Sequence, residues 1–330
     1  MTDTMNNRRQ FIGSLGAFAA LCGCSGAKEL LSSVKPRLKF GVMSDIHCQY
    51  RAFTDMFERT LVYCRDRGAD AVMVAGDMAD MGMYEELAFV GDCWRRVFPG
   101  NRAPDGRHVE KLFVTGNHDV NDFKRPWTDN PTWLTYYCND VEEMKRHNLC
   151  TREGGLERSW RECFDEKYEP IWHKRVKGYD FIGANWSTWQ GVNGVEEYLN
   201  RLCPTLDPKR PFFFTQHPHP KGTVYGDEAW CPDDGRSTRA LSKFPNAVAF
   251  TGHSHSSLSS PRSIWRGAFT SIGTSSLAST SVIRDGTESK DLLNKQALFV
   301  TVYDDFLSIE RRDLVRDREL GEPWIVEVKA

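Results

Sequence analysis

The chain has 330 residues, of which 40% are hydrophobic and 27% are charged, and its formal net charge at pH 7 is −2. This length and apolar content are enough for a substantial core in one large domain or two. The near balance of acidic and basic residues argues against a nucleic-acid binder with a large basic face, although a small local basic patch remains open.

The N-terminal segment combines paired arginines, a short apolar stretch and a cysteine. Arg8 and Arg9 precede the apolar residues 11–21, which are too few to span a bilayer as a permanent helix. The pattern resembles a twin-arginine export signal, and Leu21-Cys22-Gly23-Cys24-Ser25 resembles a lipoprotein cleavage box in which Cys24 carries the lipid. We therefore predict an export signal over residues 1–24 and a polar tether over 25–36. The protein is then periplasmic, or anchored to the membrane on the outer surface through Cys24; a disordered cytosolic leader is the alternative.

The globular part begins with a strand, a helix and a second strand. Residues 37–44 and 71–75 are apolar runs that predict buried strands, and residues 54–67 between them have apolar side chains at helical spacing. This succession joins parallel neighbours by a right-handed crossover, so the carboxyl ends of the two strands meet at one sheet edge. Asp45, His47 and Asp77, which follow the two strands, are therefore expected to converge.

A second crossover extends this arrangement. Residues 84–97 predict a helix and residues 109–114 a strand, which brings Asn117 and His118 to the same edge. A single Asp or Asn after a strand usually caps a helix or forms a turn. Because the pattern repeats from strand to strand, we favour a shared site over a series of unrelated turns.

The pattern loosens over residues 120–177, which are rich in aromatic side chains. These are Trp127, Trp133, Tyr136, Tyr137, Trp160, Phe164, Tyr168 and Trp172. We favour a hydrophobic cluster that holds an insertion in place, and a substrate cleft lined by these aromatics is the alternative.

The remaining elements again deliver histidines after strands. Residues 179–185 and 212–215 predict strands, residues 195–202 a short helix, and residues 247–250 a further strand. His217 follows the second of these strands, with His219 as a competing candidate, and His253 and His255 follow the last. Later strands are predicted over residues 269–274, 298–303 and 307–310, which gives one α/β domain.

Five times, then, a short apolar strand ends in His, Asp or Asn, which are hard and borderline ligands of divalent metals. The motifs are Asp45-Ile46-His47, Gly76-Asp77-Met78-Ala79-Asp80, Gly116-Asn117-His118-Asp119, Gln216-His217 and Gly252-His253-Ser254-His255. In this order they resemble the calcineurin-like metallophosphoesterase family over residues 38–275. The resemblance implies two stacked mixed β-sheets flanked by helices. The catalytic domain would cover residues 37–318 with an insertion at 120–177, followed by a C-terminal extension at 319–330.

The resemblance also implies a dinuclear metal site in which Asp77 bridges two divalent ions. One ion would be held by Asp45, His47, Asp77 and His255, and the other by Asp77, Asn117, His217 and His253. His217 is favoured over His219 because the family places this ligand directly at the strand end. The ligand types leave manganese, iron, zinc or a mixed pair open.

Cys48 adjoins a ligand and is interpreted as a small buried side chain rather than a thiolate ligand. The cysteines after the leader form no C-x-x-C pair, and their disulfide pairing is open.

For the reaction, the resemblance implies that hydroxide formed between two cations about 3.5 to 4 Å apart attacks phosphorus in line. His118 would bind phosphate and protonate the leaving oxygen, and Asp80 would orient and charge His118, with a solvated turn aspartate as the alternative. Asp119 would stabilise the loop.

One departure from the family guides the choice of substrate. The purple acid phosphatase branch has a tyrosine where Asp80 stands, which argues against a ferric site, and Gly76 to Gly82 resembles the phosphodiesterase-like branch. We therefore expect hydrolysis of small phosphoric esters, with phosphodiesters slightly favoured. The alternatives are a phosphomonoesterase or nucleotidase, and a non-catalytic lipoprotein that binds a phosphorylated ligand. The oligomeric state is open.

Overall fold

The computed structural model describes residues 34–49, 54–120, 141–186, 191–228, 230–284 and 287–329. The expected export signal, Cys24 and most of the tether lie outside these residues, as do Trp127, Trp133, Tyr136 and Tyr137. Within the described ranges, no helix is both long and apolar enough to cross a membrane.

The described chain alternates strands and helices. The helices are α1 (Asp55–Asp66), α2 (Tyr84–Val97), α3 (Val141–His147), α4 (Gly155–Phe164), α5 (Val195–Leu202) and α6 (Arg236–Leu241). The strands are β1 (Leu38–Met43), β2 (Ala71–Ala75), β3 (Glu110–Val114), β4 (Ile171–Val176), β5 (Tyr179–Ala184), β6 (Phe212–Gln216), β7 (Ala247–Thr251), β8 (Ile264–Arg266), β9 (Thr270–Gly273), β10 (Thr280–Arg284), β11 (Thr287–Asp291), β12 (Gln296–Val302), β13 (Phe306–Asp313), β14 (Arg318–Glu319) and β15 (Trp324–Glu327).

Among the described residues, seven strands form the first sheet in the order β14-β13-β12-β1-β2-β3, with β15 also paired to β13. Strands β1, β2 and β3 are parallel, and helices α1 and α2 connect them as the sequence predicts. Strand β12 runs antiparallel to β1 and makes the sheet mixed. The carboxyl ends of β1, β2 and β3 therefore lie side by side.

The second sheet has six strands in the described ranges, in the order β4-β5-β6-β7-β9-β8. Its central strands β5, β6, β7 and β9 are parallel, and the edge strands β4 and β8 are antiparallel to their neighbours. The prediction of two stacked mixed sheets flanked by helices is confirmed. The parallel strands of this sheet place the ends of β6 and β7 beside those of β1 and β2.

The core between the sheets is built around a cluster of phenylalanines. Phe40 on β1 meets Phe181 and Phe250 edge to face, with ring centroids 5.3 Å and 5.8 Å apart. All three side chains are fully buried, and truncating a buried phenylalanine to alanine typically costs about 3 to 5 kcal/mol of stability. Two further clusters fill the space between each sheet and its helices. This packing fixes the strand ends from both sides.

The aromatic-rich segment contributes to these cores where it is described. Trp160 and Phe164 on α4 pack in the helix-side core with Tyr168, whereas Trp172 on β4 packs between the sheets. These contacts agree with a packing role for the described aromatics. Strand β4 belongs to the second sheet, and β14 and β15 extend the first sheet beyond residue 317. Strands β4, β8, β10, β11, β14 and β15 and helices α3, α4 and α6 were not predicted from the sequence.

Candidate metal centre

Asp45 is a buried aspartate that lies two residues beyond the end of strand β1. Its carboxylate accepts hydrogen bonds from the Ser44 hydroxyl and from the main-chain N–H of His253, the latter at 3.2 Å. The other oxygen, Oδ1, is buried and has no hydrogen-bond partner among the described residues. It lies 3.1 Å from Nε2 of His255.

His47 and His255 face each other across this carboxylate, with their Nε2 atoms 3.1 Å apart. The Nδ1–H of His47 donates to Asp80 Oδ1 at 2.9 Å, and the Nδ1–H of His255 donates to the main-chain oxygen of Ser279 at 2.9 Å. A neutral imidazole that donates from Nδ1 has only a lone pair at Nε2. Two nitrogen lone pairs and a carboxylate oxygen therefore converge, an arrangement that a cation stabilises. We call Asp45, His47 and His255 the first ligand group.

Asp77, His217 and His253 form the second ligand group in the same way. The Nδ1–H of His217 donates to the main-chain oxygen of Ala75 at 2.7 Å, and the Nε2–H of His253 donates to that of Trp230 at 2.9 Å. The remaining ring nitrogens lie 3.3 Å apart, and His217 Nε2 is 3.0 Å from Asp77 Oδ2. Asp77 Oδ2 is also 3.7 Å from His47 Nε2, so this carboxylate lies between the two groups.

The close approach of these side chains depends on glycines and on unusual backbone angles. A Cβ at Gly116 would lie 2.1 Å from Asp77 Oδ1, and one at Gly252 would lie 2.7 Å from Asp45 Oδ2. Several site residues adopt positive φ angles, between 46° and 72°. They are Asp45, His47, Asp77, His253 and His255. Such angles are uncommon outside glycine and cluster at functional sites.

The donor set fits divalent cations. In the described part of the chain, both ligand groups have donor atoms within 4.8 Å of one another, and His47, Asp77 and His118 form a third such cluster. Asn117, the expected amide ligand, has an Oδ1 that is buried and has no hydrogen-bond partner among the described residues. Imidazole nitrogen with carboxylate and amide oxygen suits manganese, iron or zinc.

The pKa values of the ligand histidines indicate which protons a metal cation would replace. Burial lowers the pKa of His47, but the nearby carboxylates of Asp45 and Asp80 outweigh burial and raise this pKa to about 10. Burial also opposes protonation of His217, yet the charges of Asp77 and Asp45 raise its pKa to about 9. Burial and the charge of His217 lower the pKa of His253 to about 4. Protons thus compensate the carboxylates at His47 and His217, and a metal ion would displace them.

His118 lies at the open side of the centre, with its side chain 34% exposed. Its Nδ1–H donates to the main-chain oxygen of Asp80 at 2.7 Å, whereas the Asp80 carboxylate is 3.8 Å away. That carboxylate bonds His47 and accepts from Nε2 of Gln49 at 2.8 Å. The direct hydrogen bond of this carboxylate to a histidine is therefore to His47, and its expected role at His118 stays a prediction. An isolated β-bridge between the backbones of Cys48 and Ala79 aligns the segment after β1 with the segment after β2. This alignment places the Asp80 side chain beside His47.

A family model for the calcineurin-like phosphoesterase domain matches residues 38–257, which is more than half of the chain. The chain belongs to the calcineurin-like phosphoesterase family. This membership confirms the prediction of a metallophosphoesterase enzyme and of two divalent metal ions as its cofactors.

One solved structure shows the same fold at low sequence identity, and a second is more distantly similar. The purple acid phosphatase PPD1 of yellow lupin, Lupinus luteus, is 13% identical, with a TM-score of 0.53; the match covers 89% of this chain and 55% of that one. A dimetal phosphatase from Danio rerio is 14% identical, with a TM-score of 0.49, over 89% of this chain and all of the other (100%). A comparison with curated protein sequences finds no significant match.

Three residues close in sequence to the expected ligands, Asp119, Cys48 and His219, do not belong to either ligand group. Burial and the charge of Asp77 raise the pKa of Asp119 to about 7, and its carboxylate accepts from the main-chain N–H groups of Ala79 and Gly116, both at 2.7 Å. Burial raises the pKa of the Cys48 thiol, and no cysteine in the described residues joins the clustered ligands. His219 is also outside these clusters and is hydrogen-bonded to the Thr251 hydroxyl at 2.6 Å.

Sequence reasoning missed two tryptophans that flank His253. The ring centroids of Trp186 and Trp230 lie 5.8 Å and 5.4 Å from that of His253. Trp186 is buried, whereas Trp230 is 48% exposed. Trp186 follows strand β5 directly, as the ligands follow theirs, and this position was the signal available in the sequence. Trp230 lies in a loop that carries no comparable signal.

Proposed function

We propose that this phosphoesterase hydrolyses phosphoric esters of small substrates and prefers phosphodiesters. The observation that carries the proposal is the position of Asp77 between the two ligand groups, 3.0 Å from His217 Nε2 and 3.7 Å from His47 Nε2. A carboxylate placed in this way suits a pair of cations that share one ligand. The preference for diesters rests on the resemblance of residues 76–82 to the phosphodiesterase-like branch.

Two buried oxygens support this assignment. Asp45 Oδ1 and Asn117 Oδ1 have no hydrogen-bond partner among the described residues, and leaving such a buried group unsatisfied costs about 1 to 3 kcal/mol. A cation held by the first ligand group with Asp77 would satisfy Asp45, and one held by the second ligand group would satisfy Asn117. When bound, two divalent cations activate water as a nucleophile and offset charge that develops on the phosphoryl group.

His118 supplies the proton in this proposal. Its Nδ1–H is committed to the main-chain oxygen of Asp80, so Nε2 is the atom that gains and releases a proton. The ring is partly exposed and packs edge to face on His47, with centroids 4.5 Å apart, so it adjoins the ligands. Protonated Nε2 can donate to the oxygen that leaves phosphorus as the ester bond breaks.

The test is hydrolysis of matched phosphate monoesters, diesters and cyclic diesters by metal-free protein and by protein reloaded with Mn²⁺, Fe²⁺ or Zn²⁺. We expect hydrolysis only after reloading, a higher kcat/KM on diesters, and a higher Tm with metal because the ions bind the folded state. A higher kcat/KM on monoesters would refute the diester preference and favour a phosphomonoesterase. Protein that binds metal but is inert on every ester would overturn the proposed hydrolysis and favour a binding protein.

We also propose that the chain is exported and anchored through a lipid on Cys24. The support is the sequence alone: Arg8 and Arg9 before the apolar residues 11–21, followed by the cleavage-box pattern around Cys24. Replacing both arginines by lysine should retain the protein in the cytoplasm. Cys24→Ser should release it from membranes or leave the precursor unprocessed. Normal export and membrane partition of both variants in a fractionation experiment would refute this route.

A further inference from the structure

One cavity is lined in part by residues that neighbour the ligand histidines His253 and His255. Its volume is about 540 Å³, within the range of small-molecule sites. Two of its walls are hydrogen-bonded to ligand histidines: His253 donates to the main-chain oxygen of Trp230 at 2.9 Å, and the Ser281 N–H donates to that of His255 at 2.7 Å. A group bound in this cavity would therefore contact residues that are hydrogen-bonded to two ligand histidines.

The lining of this cavity is unusually rich in hydroxyl groups. Ligand pockets are mostly lined by apolar side chains with a few polar ones, but here serines and an asparagine predominate. They are Ser256, Ser257, Ser259, Ser260, Ser281 and Asn294. A serine hydroxyl both donates and accepts, and an asparagine amide offers both functions on separate atoms. The partner that matches such a surface is a group with several hydroxyls of its own.

The charged and aromatic residues of the lining further restrict the kind of ligand that the cavity can bind. Among the described residues that line the cavity, the charged side chains are Arg262 and Glu228, which pair at 2.8 Å. Arg262 also lies over the Tyr225 ring, 4.3 Å from its centroid. Because both charges are compensated, the cavity gives no special support to a second phosphate. Trp230, which is 48% exposed, adds a flat apolar face to this hydroxyl-rich lining.

We propose that this cavity binds the sugar or polyol group of the ester that the metal centre hydrolyses. The C–H face of a sugar ring packs on an aromatic face such as Trp230, while its hydroxyls bond the serines and Asn294. The inference rests on the proposed function, since the sugar must be joined to the phosphorus at the metal centre. The oxygen of water bonds to phosphorus, the leaving P–O bond breaks, and the leaving oxygen takes a proton.

The test compares two diesters with the same leaving group, methyl 4-nitrophenyl phosphate and glucosyl 4-nitrophenyl phosphate. Wild-type protein reloaded with metal should have the higher kcat/KM on the glucosyl ester. The double variant Ser256→Ala with Ser281→Ala should lower the glucosyl-to-methyl ratio about 25-fold, the loss expected for two hydrogen bonds, mainly through KM. Ser259→Trp, a change at an exposed position that fills the cavity, should lower the ratio as well.

Ser242→Ala is the matched control, because Ser242 lies on the surface at the end of α6, where its hydroxyl bonds the Thr238 carbonyl; its ratio should equal that of the wild type. A ratio that neither cavity variant changes would overturn the inference. Equal losses on both esters would also overturn it, since the serines would then support the metal centre. A thymidine 4-nitrophenyl diester preferred over the glucosyl one would assign the cavity to a nucleobase instead. Absence of hydrolysis of the methyl ester by the metal-loaded wild type would be a separate result, against the proposed function itself.

Discussion

The two ligand groups differ in how one histidine is held, since His255 of the first ligand group is fixed by a main-chain oxygen but His47 is not. In the second ligand group, His217 and His253 are fixed by main-chain oxygens, and His217 is fully buried. In the first ligand group, His47 is fixed by a side chain, the Asp80 carboxylate, which is itself held by Gln49. Main-chain acceptors persist through substitution, whereas side-chain acceptors do not. The first metal position should therefore be the one that outer side chains tune.

The largest effect is expected where the two groups meet. Asp77→Asn should lower metal occupancy at both positions and reduce kcat/KM about a thousandfold or more, because each cation supplies several kcal/mol of transition-state stabilisation. His47→Ala is the matched comparison and should deplete chiefly the first position. Metal analysis of both purified variants measures this. Unchanged occupancy in Asp77→Asn would refute the shared ligand.

His118→Asn should leave both metals in place and still reduce activity. A nitrophenolate departs readily without a proton, whereas an alkoxide needs one, so the loss should be about a hundredfold or more on alkyl esters and smaller on nitrophenyl esters. The measurement is kcat/KM on the two kinds of ester, with metal content determined in parallel. Equal losses on both would show that His118 binds phosphate or supports the metals rather than donating a proton.

Asp80→Asn tests whether the carboxylate serves His47 or His118. Loss of a partner that orients a metal-bound histidine typically weakens metal affinity about 10- to 100-fold, and we expect this at the first position only. Titration of metal-free protein with Zn²⁺ would measure it, with the exposed turn variant Asp105→Asn as the control. Full affinity at both positions, together with a selective loss on alkyl esters, would instead place the role of the Asp80 carboxylate at His118.

The smallest effect is expected one step further out, at Gln49. Gln49→Ala removes the 2.8 Å hydrogen bond to Asp80 but leaves the carboxylate and its bond to His47. A single hydrogen bond is worth about 1 kcal/mol, so affinity at the first position should fall about fivefold. The same Zn²⁺ titration detects this change. A loss as large as that of Asp80→Asn would mean that Gln49 sets the position of the carboxylate rather than reinforcing it.

Much of the site could be predicted from sequence because its ligands follow buried strands directly. In parallel strands the carboxyl ends coincide, so Asp45, Asp77 and Asn117 converge for a reason that the order of elements already contains. The partner of Asp80 could not be predicted in this way. This partner depends on the isolated β-bridge between the backbones of Cys48 and Ala79. That tertiary contact determines which of two nearby histidines the carboxylate reaches.

The elements that sequence reasoning missed share a weak local pattern. Strand β4 lies at a sheet edge and only two of its six residues are buried, so it lacks the continuous apolar run of the central strands. Trp230 gains its role from a loop that folds back on His253. Four of the five cavity serines follow His255 directly in sequence, within residues 256–260, but their meeting with Ser281 and Asn294 could not be predicted from spacing, because it depends on tertiary pairing such as that of Ser256 with Ser281.

The positive φ angles of the ligand residues lower the stability of the fold at the positions that activity requires. Each non-glycine residue held in this region costs about 1 to 3 kcal/mol, and Asp45, His47, Asp77, His253 and His255 are all held there. Replacing one of these residues by glycine would relieve the backbone strain, but it would also remove the side chain that binds the metal. Selection for thermal stability alone, in the absence of metal, would therefore favour the loss of this centre. The phenylalanine core between the sheets is what allows the fold to keep five strained residues at one edge.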